Sequence, residues 1–201
     1  MDIRGNYYRD VESGMLFQRV LAGVAWAGDR PAGVVVIGEA VSFGPLYEHH
    51  LLAEIEEYDA GLFFKHCVDL QGKYNVESFV GRLDKMNIRY LSQWNSTRRD
   101  RNSSTLHVLS APFSESKDIG YHIAVLKDKL RPNQKTLHFT EGSKLPGYLL
   151  EIQAGETKLK ADQIPLVSAL CYAVCAMVEW EYQPGPQHTT AITDYDIFKE
   201  Q

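Results

Sequence analysis

Between Val20 and Ala40 the chain reads VLAGVAWAGDRPAGVVVIGEA, and this stretch restricts the fold more than any other. Val20 to Trp26 is an apolar run of strand length, rich in residues that favour extended backbone. Gly28 to Gly33 is punctuated by glycine and proline, which set turn geometry. Val34, Val35, Val36 and Ile37 follow, all branched at Cβ and therefore stiff at χ1 and poor in a helix. Four such residues in succession leave no wet face, so this strand should lie in mid-sheet with cover on both sides. The stretch predicts a buried central hairpin, and the rest of the chain must supply two covering layers. At 201 residues, 44% of them hydrophobic, the chain is long enough to do so as one domain spanning 1–201.

Taken in order, residues 1–19 read as a short hairpin, YYRDV then MLFQRV, leading into the central strand. Tyr47 to Glu57 reads as a third strand, with a helix as the alternative. Asp59 suits the N-cap of a helix from Ala60 to Tyr74, where Leu62, Phe63, Cys67 and Leu70 fall near helical spacing. Glu77 to Asp84 is a short strand ending in an acid, and Lys85 to Trp94 a helix over its end. Asn95 to Ser104 reads as a polar loop. Thr105 to Ala111 is a strand, and Ser116 or Lys117 to Leu130 a helix with Ile119, Ile123, Leu126 and Leu130 on one face. Leu137 to Phe139 is a further strand, Leu145 to Ile152 is open between helix and strand, and Gly155 to Asp162 is a charged connection. Pro165 to Trp180 is the strongest helix: proline suits its first turn, and it is apolar nearly all round, as a helix buried against a sheet must be. Residues 183–201 read as an irregular tail. Three strands in sequence followed by alternating helices and strands give an α/β class with a mixed central sheet, the order expected of an RNase H-like fold.

The formal net charge of −5 argues against holding nucleic acid by bulk charge and leaves room for a local basic patch. Arg98, Arg99 and Arg101 form the one dense cluster, suited to phosphate contact or simply to a solvated loop. The three cysteines, Cys67, Cys171 and Cys175, are odd in number and show no Cys-x-x-Cys spacing. Buried thiols in a reduced, cytoplasmic setting fit them best. No signal-peptide pattern opens the chain and no apolar run reaches about 18 residues, so neither secretion nor membrane spanning is expected. The sequence has no P-loop, no Gly-x-Ser-x-Gly elbow and no His-Glu-x-x-His pair. His49 and His50 are adjacent, which is not the spacing of a helical metal pair.

The pattern resembles the nuclease domain of phage large terminases, which package viral DNA and cut it. Members open with a strand close to GVDWG, matched here by Gly23-Val24-Ala25-Trp26 and the following GVVVIGE. A later strand ends in an acid, matched by VGRLD at Asp84. The closing helix resembles Ser168-Ala169-Leu170-Cys171-Tyr172-Ala173, and TLHFTEGSKLPGYLLEI resembles the segment that leads into it. The resemblance runs from about Val20 to Val178. It implies an RNase H-like fold, double-stranded DNA as partner, and an ATPase domain or other phage packaging proteins supplied separately, in a bacterial host. It also implies Mg²⁺ or Mn²⁺ held by three carboxylates, since two ions roughly 3.5–4 Å apart activate water and stabilise the leaving oxygen.

Here the first acid position is Ala25 and the last is Ser168, and only Asp84 keeps its carboxylate. Hard divalent ions require oxygen ligands, which alanine lacks. The reading that follows is a terminase-like domain with a weakened or lost metal site. An active endonuclease would need relocated ligands: Asp84 and Asp162 as catalytic groups, with Asp29 or Glu39 completing the metal set. Asp69 sits on the first helix, where ribonuclease H itself places an acid. Asp29, Glu39 and Asp69 also read as solvated surface carboxylates, Asp162 as a charge suited to a helix start, and Asp84 as a strand-end turn residue. A third reading, favoured by the net acidity, is a protein-interaction module without nucleic acid.

Overall fold

The computed structural model describes residues 8–11, 13–26, 31–41, 48–99, 104–111, 119–130, 136–151 and 164–181. The expected turn at 28–30 with Asp29, the end of the basic cluster at Arg101, the charged connection through Asp162 and the tail from 183 lie outside the described residues.

The central strands are β2 (Leu16–Ala25) and β3 (Ala32–Ala40), paired antiparallel with Leu21 opposite Ile37 and Ala25 opposite Gly33. Every residue of β3 is buried, as its run of branched side chains requires. β1 (Tyr8–Arg9) pairs with the start of β2, completing the expected hairpin. Gly14 makes its turn at φ 69°, a left-handed conformation that glycine adopts without steric cost. The third strand, β4 (His49–Glu57), runs antiparallel to β3. On the other side of β2, β5 (Ser78–Gly81) and then β6 (Val108–Ser110) run parallel. The short β7 (Leu137–His138) pairs parallel with β4 at the far edge. The sheet order is β6-β5-β2-β3-β4-β7, with β1 beside β2. This is the expected mixed sheet: an antiparallel trio followed by alternating helices and strands.

Alternation along the strands divides the interior in two. Val20, Ala22, Val24, Val34 and Val36 face α1 (Ala60–Tyr74), whose Phe63, Phe64, Cys67 and Leu70 cover them. α1 begins at Asp59, whose carboxylate accepts from the Leu62 amide at 2.8 Å, and ends at Asn75 in the left-handed region. α2 (Lys85–Arg99) adds Leu91 and Trp94 to the same side, with the Trp94 ring 5.5 Å from Phe64. Leu21, Val35 and Ile37 face the opposite way, towards α5 (Pro165–Glu181), with Ile123 and Leu126 of α3 (Ile119–Lys129) and Leu145 of α4 (Leu145–Glu151) completing that layer. The three cysteines are buried and form no disulfide among the described residues, as expected, and burial pushes the Cys67 thiol well above its ordinary value. Among the described residues no helix is long and apolar enough to cross a membrane.

Two local expectations change. α2 runs on to Arg99, whereas the sequence predicts a loop from Asn95. The polar side chains there are satisfied without leaving the helix: Asn95 exchanges two hydrogen bonds with the Leu106 backbone, at 2.7 and 2.9 Å, and Thr97 donates back to the Trp94 carbonyl. The open segment at Leu145 is helical because a carboxylate from another element caps it. Glu54 of β4 accepts from the Lys144 amide at 2.6 Å and from the Ser143 hydroxyl at 2.7 Å.

α5 lies on the sheet backbone to backbone. A Cβ placed on Gly23 would stand 1.7 Å from the Ala169 carbonyl oxygen, and one on Gly33 would stand 2.7 Å from the Pro165 carbonyl carbon. Neither neighbour is a flexible side-chain end, so the helix itself would have to move. Gly23→Ala is expected to destabilise the protein by about 2–3 kcal/mol or more in urea unfolding followed by circular dichroism. Gly72→Ala, in the exposed part of α1 with nothing within 4 Å, should stabilise it by about 0.5–1 kcal/mol. Equal effects at the two glycines would contradict the close packing.

Candidate functional site

The parallel strands β2 and β5 end side by side, with Val24 opposite Gly81. Ala25 is the last residue of β2, and Gly33 opposite it lies against the first turn of α5. Ser168 sits in that helix's first turns and is 5% exposed. Asp84 follows β5 by three residues and stands on the surface. The fold thus places the three residues around one end of the sheet: Ala25 and Asp84 follow the C-terminal ends of neighbouring parallel strands, and Ser168 lies in the start of the helix that covers Gly33. Open sheets bind ligands at this kind of edge.

The chemistry at that edge is limited. Asp84 is the N-cap of α2. Its Oδ1 accepts from the Asn87 amide at 2.8 Å, and the buried Asn87 side chain donates to the Arg82 carbonyl at 3.1 Å. One carboxylate oxygen is therefore committed to a helix start that would otherwise leave donors unpaired. Ala25 contributes a methyl group and Ser168 a neutral hydroxyl. Among the described residues no three carboxylates converge on this edge, so these residues do not fit the ligand set that Mg²⁺ or Mn²⁺ would need. Asp29 and Asp162 lie outside the described residues.

The remaining acids fall elsewhere. Glu39 is at the other end of β3, opposite Arg19, about 20 Å of strand from the Ala25–Gly33 pair. It cannot join Asp84 in one site. Glu39 and His49 are only 2% and 3% exposed. The Glu39 Oε2 stands 3.6 Å from His49 Nε2 and 3.8 Å from Arg19 Nη1, and Gln18 donates to Oε1. Burial alone would push this carboxyl up. The hydrogen-bonding and charged neighbours His49, Gln18 and Arg19 outweigh burial and hold it below the ordinary glutamate value. Asp69 is exposed on α1.

Two acids escape the sequence reading. A register shift between Val36 and Ile37 offsets β4 by one residue at Leu52. Beyond it, Glu54 faces the α4 side opposite Val35, and Glu56 lies opposite Gly33. Glu56 therefore shares a cross-strand row with Ala25, about 10 Å away across two strand spacings. Its Oε2 accepts from the Tyr148 hydroxyl at 3.2 Å and lies 3.8 Å from Lys144 Nζ. The available signal was the alternation Glu54-Ile55-Glu56, which marks a strand with an acidic face. Which face that is depends on the bulge.

The basic cluster is divided. Arg98 stacks on the Trp94 ring at 4.9 Å and donates through Nε to the Ser104 carbonyl at 2.9 Å, so it pins the end of α2 to the next segment. Arg99 is exposed in the last turn of the helix.

No protein-family model and no curated protein matches the sequence. The fold is similar to that of the large terminase from a thermophilic bacteriophage. In one crystal form of that protein the TM-score is 0.52 at 9% identity, covering 81% of this chain and 40% of that one. A second crystal form gives 0.51 at 11% identity with the same coverage of 81% and 40%. The complex with ADP gives 0.51 at 8% identity, covering 78% and 39%. The chain thus spans about 40% of the length of those chains, and the likeness is one of fold.

Removing the Asp84 cap with Asp84→Ala should cost about 1 kcal/mol, while Asp84→Asn, which caps as well, should cost little, both by thermal unfolding. An equal loss in the two variants would contradict the capping role. For Glu39 the native state holds its proton less tightly than the unfolded chain does. Its stabilisation is therefore present above the ordinary glutamate value of roughly 4.3 and is lost as pH falls through the lowered native value. Unfolding measured from neutral pH into acid should show this loss in the wild type and a flatter profile in Glu39→Gln.

Proposed function

We propose that this chain is an RNase H-like domain of phage large-terminase type, acting in DNA packaging or processing, with a weakened or lost metal site. Residues 1–201 would form one such domain. The observation that carries the reading is the pair Ala25 and Ser168, standing without carboxylates at the strand-end edge of a sheet whose fold is similar to that of a phage terminase. The commitment of Asp84 to the start of α2 supports it. On this reading the domain contributes DNA contact or assembly in the cytoplasm of a bacterial host. Double-stranded DNA is its partner, and packaging proteins or an ATPase domain act alongside it. Arg99, exposed at the end of α2, and Arg101 beyond it are the residues proposed to meet phosphates. Arg98 holds the α2 terminus to the Ser104 backbone.

A second reading is favoured by one observation: Glu56 occupies the cross-strand row of Ala25 on the same face. An active Mg²⁺- or Mn²⁺-dependent endonuclease would then draw its ligands from Asp84, Glu56 and the acids at Asp29 and Asp162.

Purified protein with Mn²⁺ is expected to nick supercoiled plasmid poorly, and Asp84→Asn should leave that background unchanged. Robust cleavage abolished by Asp84→Asn or Glu56→Gln would overturn the weakened site and establish the second reading. In a mobility-shift assay at low salt, duplex DNA should be retarded weakly. The double charge reversal Arg99→Glu and Arg101→Glu should reduce that binding, because each phosphate contact releases counterions. Absence of any binding would favour a protein-interaction module.

A further inference from the structure

At the β4–β7 edge, three side chains with metal-binding atoms come together, and the terminase-like reading does not use them. His50 of β4 and His138 of β7 are direct cross-strand partners, so their side chains leave the same face of the sheet. Glu48 precedes His50 by two residues, the spacing that brings it to that face as well. The Glu48 Oε2 lies 3.8 Å from His50 Nε2 and 4.0 Å from His138 Nε2. All three potential ligand atoms fall within 4.8 Å of one another, the one such group of His, Cys, Asp and Glu among the described residues.

The site is also prepared for a ligand. Among the described residues the buried His50 Nε2 has no hydrogen-bond partner, an arrangement that costs free energy unless something occupies it. Phe17 packs edge-on against the His50 ring at 5.7 Å, and the two imidazoles stack at 4.6 Å with 15° between their planes. His50 is thus fixed from below, while His138 and Glu48 have exposure enough to adjust, with side chains 43% and 54% accessible.

We propose that Glu48, His50 and His138 form a binding site for a divalent transition-metal ion of the Zn²⁺ class. Two imidazoles and one carboxylate suit a borderline-soft ion, whereas Mg²⁺ and Ca²⁺ prefer oxygen alone. Ligands at about 2.0–2.1 Å from tetrahedral zinc stand roughly 3.4 Å apart. The observed separations need to close by less than about 1.5 Å, through tilting of the exposed His138 ring and rotation of Glu48. Three protein ligands leave the fourth position for water or a donor from a partner. The site lies opposite Gly38, about 17 Å along β3 from the Gly33–Glu56 row, so it is separate from the strand-end edge that contains Ala25. Its structural consequence is a staple: β7 pairs with β4 at only Leu137 and His138, and the ion would tie that short strand to the sheet.

The test is calorimetric titration of chelator-treated protein with Zn²⁺ alone, alongside thermal unfolding with and without the ion. The expected result is a Zn²⁺ site whose affinity falls by about tenfold or more in His138→Ala and in Glu48→Gln. Zn²⁺ should raise the melting temperature of the wild type and not of the variants, and excess Mg²⁺ should leave its binding unchanged. Co²⁺ should give ligand-field absorption in the wild type that is lost in His138→Ala. Both substitutions are at exposed side chains, and circular dichroism confirms that each variant is folded before titration. Zn²⁺ binding of equal strength in wild type and both variants, or no binding by folded wild type, would overturn the proposal.

Discussion

The contact on which the structure depends is the seating of α5 directly on the backbones of β2 and β3. Gly23 and Gly33 leave no side chain between helix and sheet, and the Ala169 carbonyl and the Pro165 backbone occupy the space. Close packing of this kind lets one helix cover both central strands while staying buried along most of its length. Without it, Leu21, Val35 and Ile37 would lose their cover, and the hydrophobic effect that holds the layers together would weaken in proportion to the area exposed. It also brings the first turn of α5, with Ser168, against Gly33 at the strand-end edge, as a consequence of core packing.

The two ends of the central sheet differ in chemical character. One end holds Ala25, Ser168 and a carboxylate that caps a helix. The other holds a buried glutamate among Gln18, Arg19 and His49, with a histidine pair on β4 and β7 and Glu48 just before β4 nearby. Buried charge is tolerated at Glu39 because opposite charge and a hydrogen-bond donor surround it. The strand-end edge with Ala25, Ser168 and Asp84 offers few oxygen ligands for a hard divalent ion. The better-equipped cluster of ligand atoms lies at the opposite end, and its donor set suits a different kind of ion.

The β-bulge at Leu52 links these observations. A single additional residue in β4 shifts the alternation by one, so His49 and Leu51 before it and Glu54 and Glu56 after it all face the α5 side. One part of the strand thereby pairs with Glu39, and the other caps α4 through Glu54. The acidic run that looks like a solvated strand edge in sequence is a set of anchors for α4. A register shift is invisible in hydrophobic periodicity because it leaves composition unchanged and alters only which face each residue meets.

The sequence by itself determined the elements whose signals are local. Branched residues from Val34 to Ile37 specify a buried strand, Asp59 specifies the start of α1, and the apolar run after Pro165 specifies a covered helix. The mixed sheet and its order of elements follow from these, as does the absence of carboxylates at Ala25 and Ser168. Tertiary structure decided the rest. It made α4 a helix through a carboxylate from another strand. It extended α2 through the Asn95–Leu106 exchange. It separated Glu39 from Asp84 and brought His138 to His50 across 88 residues of chain. Each of these depends on a partner distant in sequence, and no local pattern encodes which distant group will arrive to satisfy a given donor or lone pair.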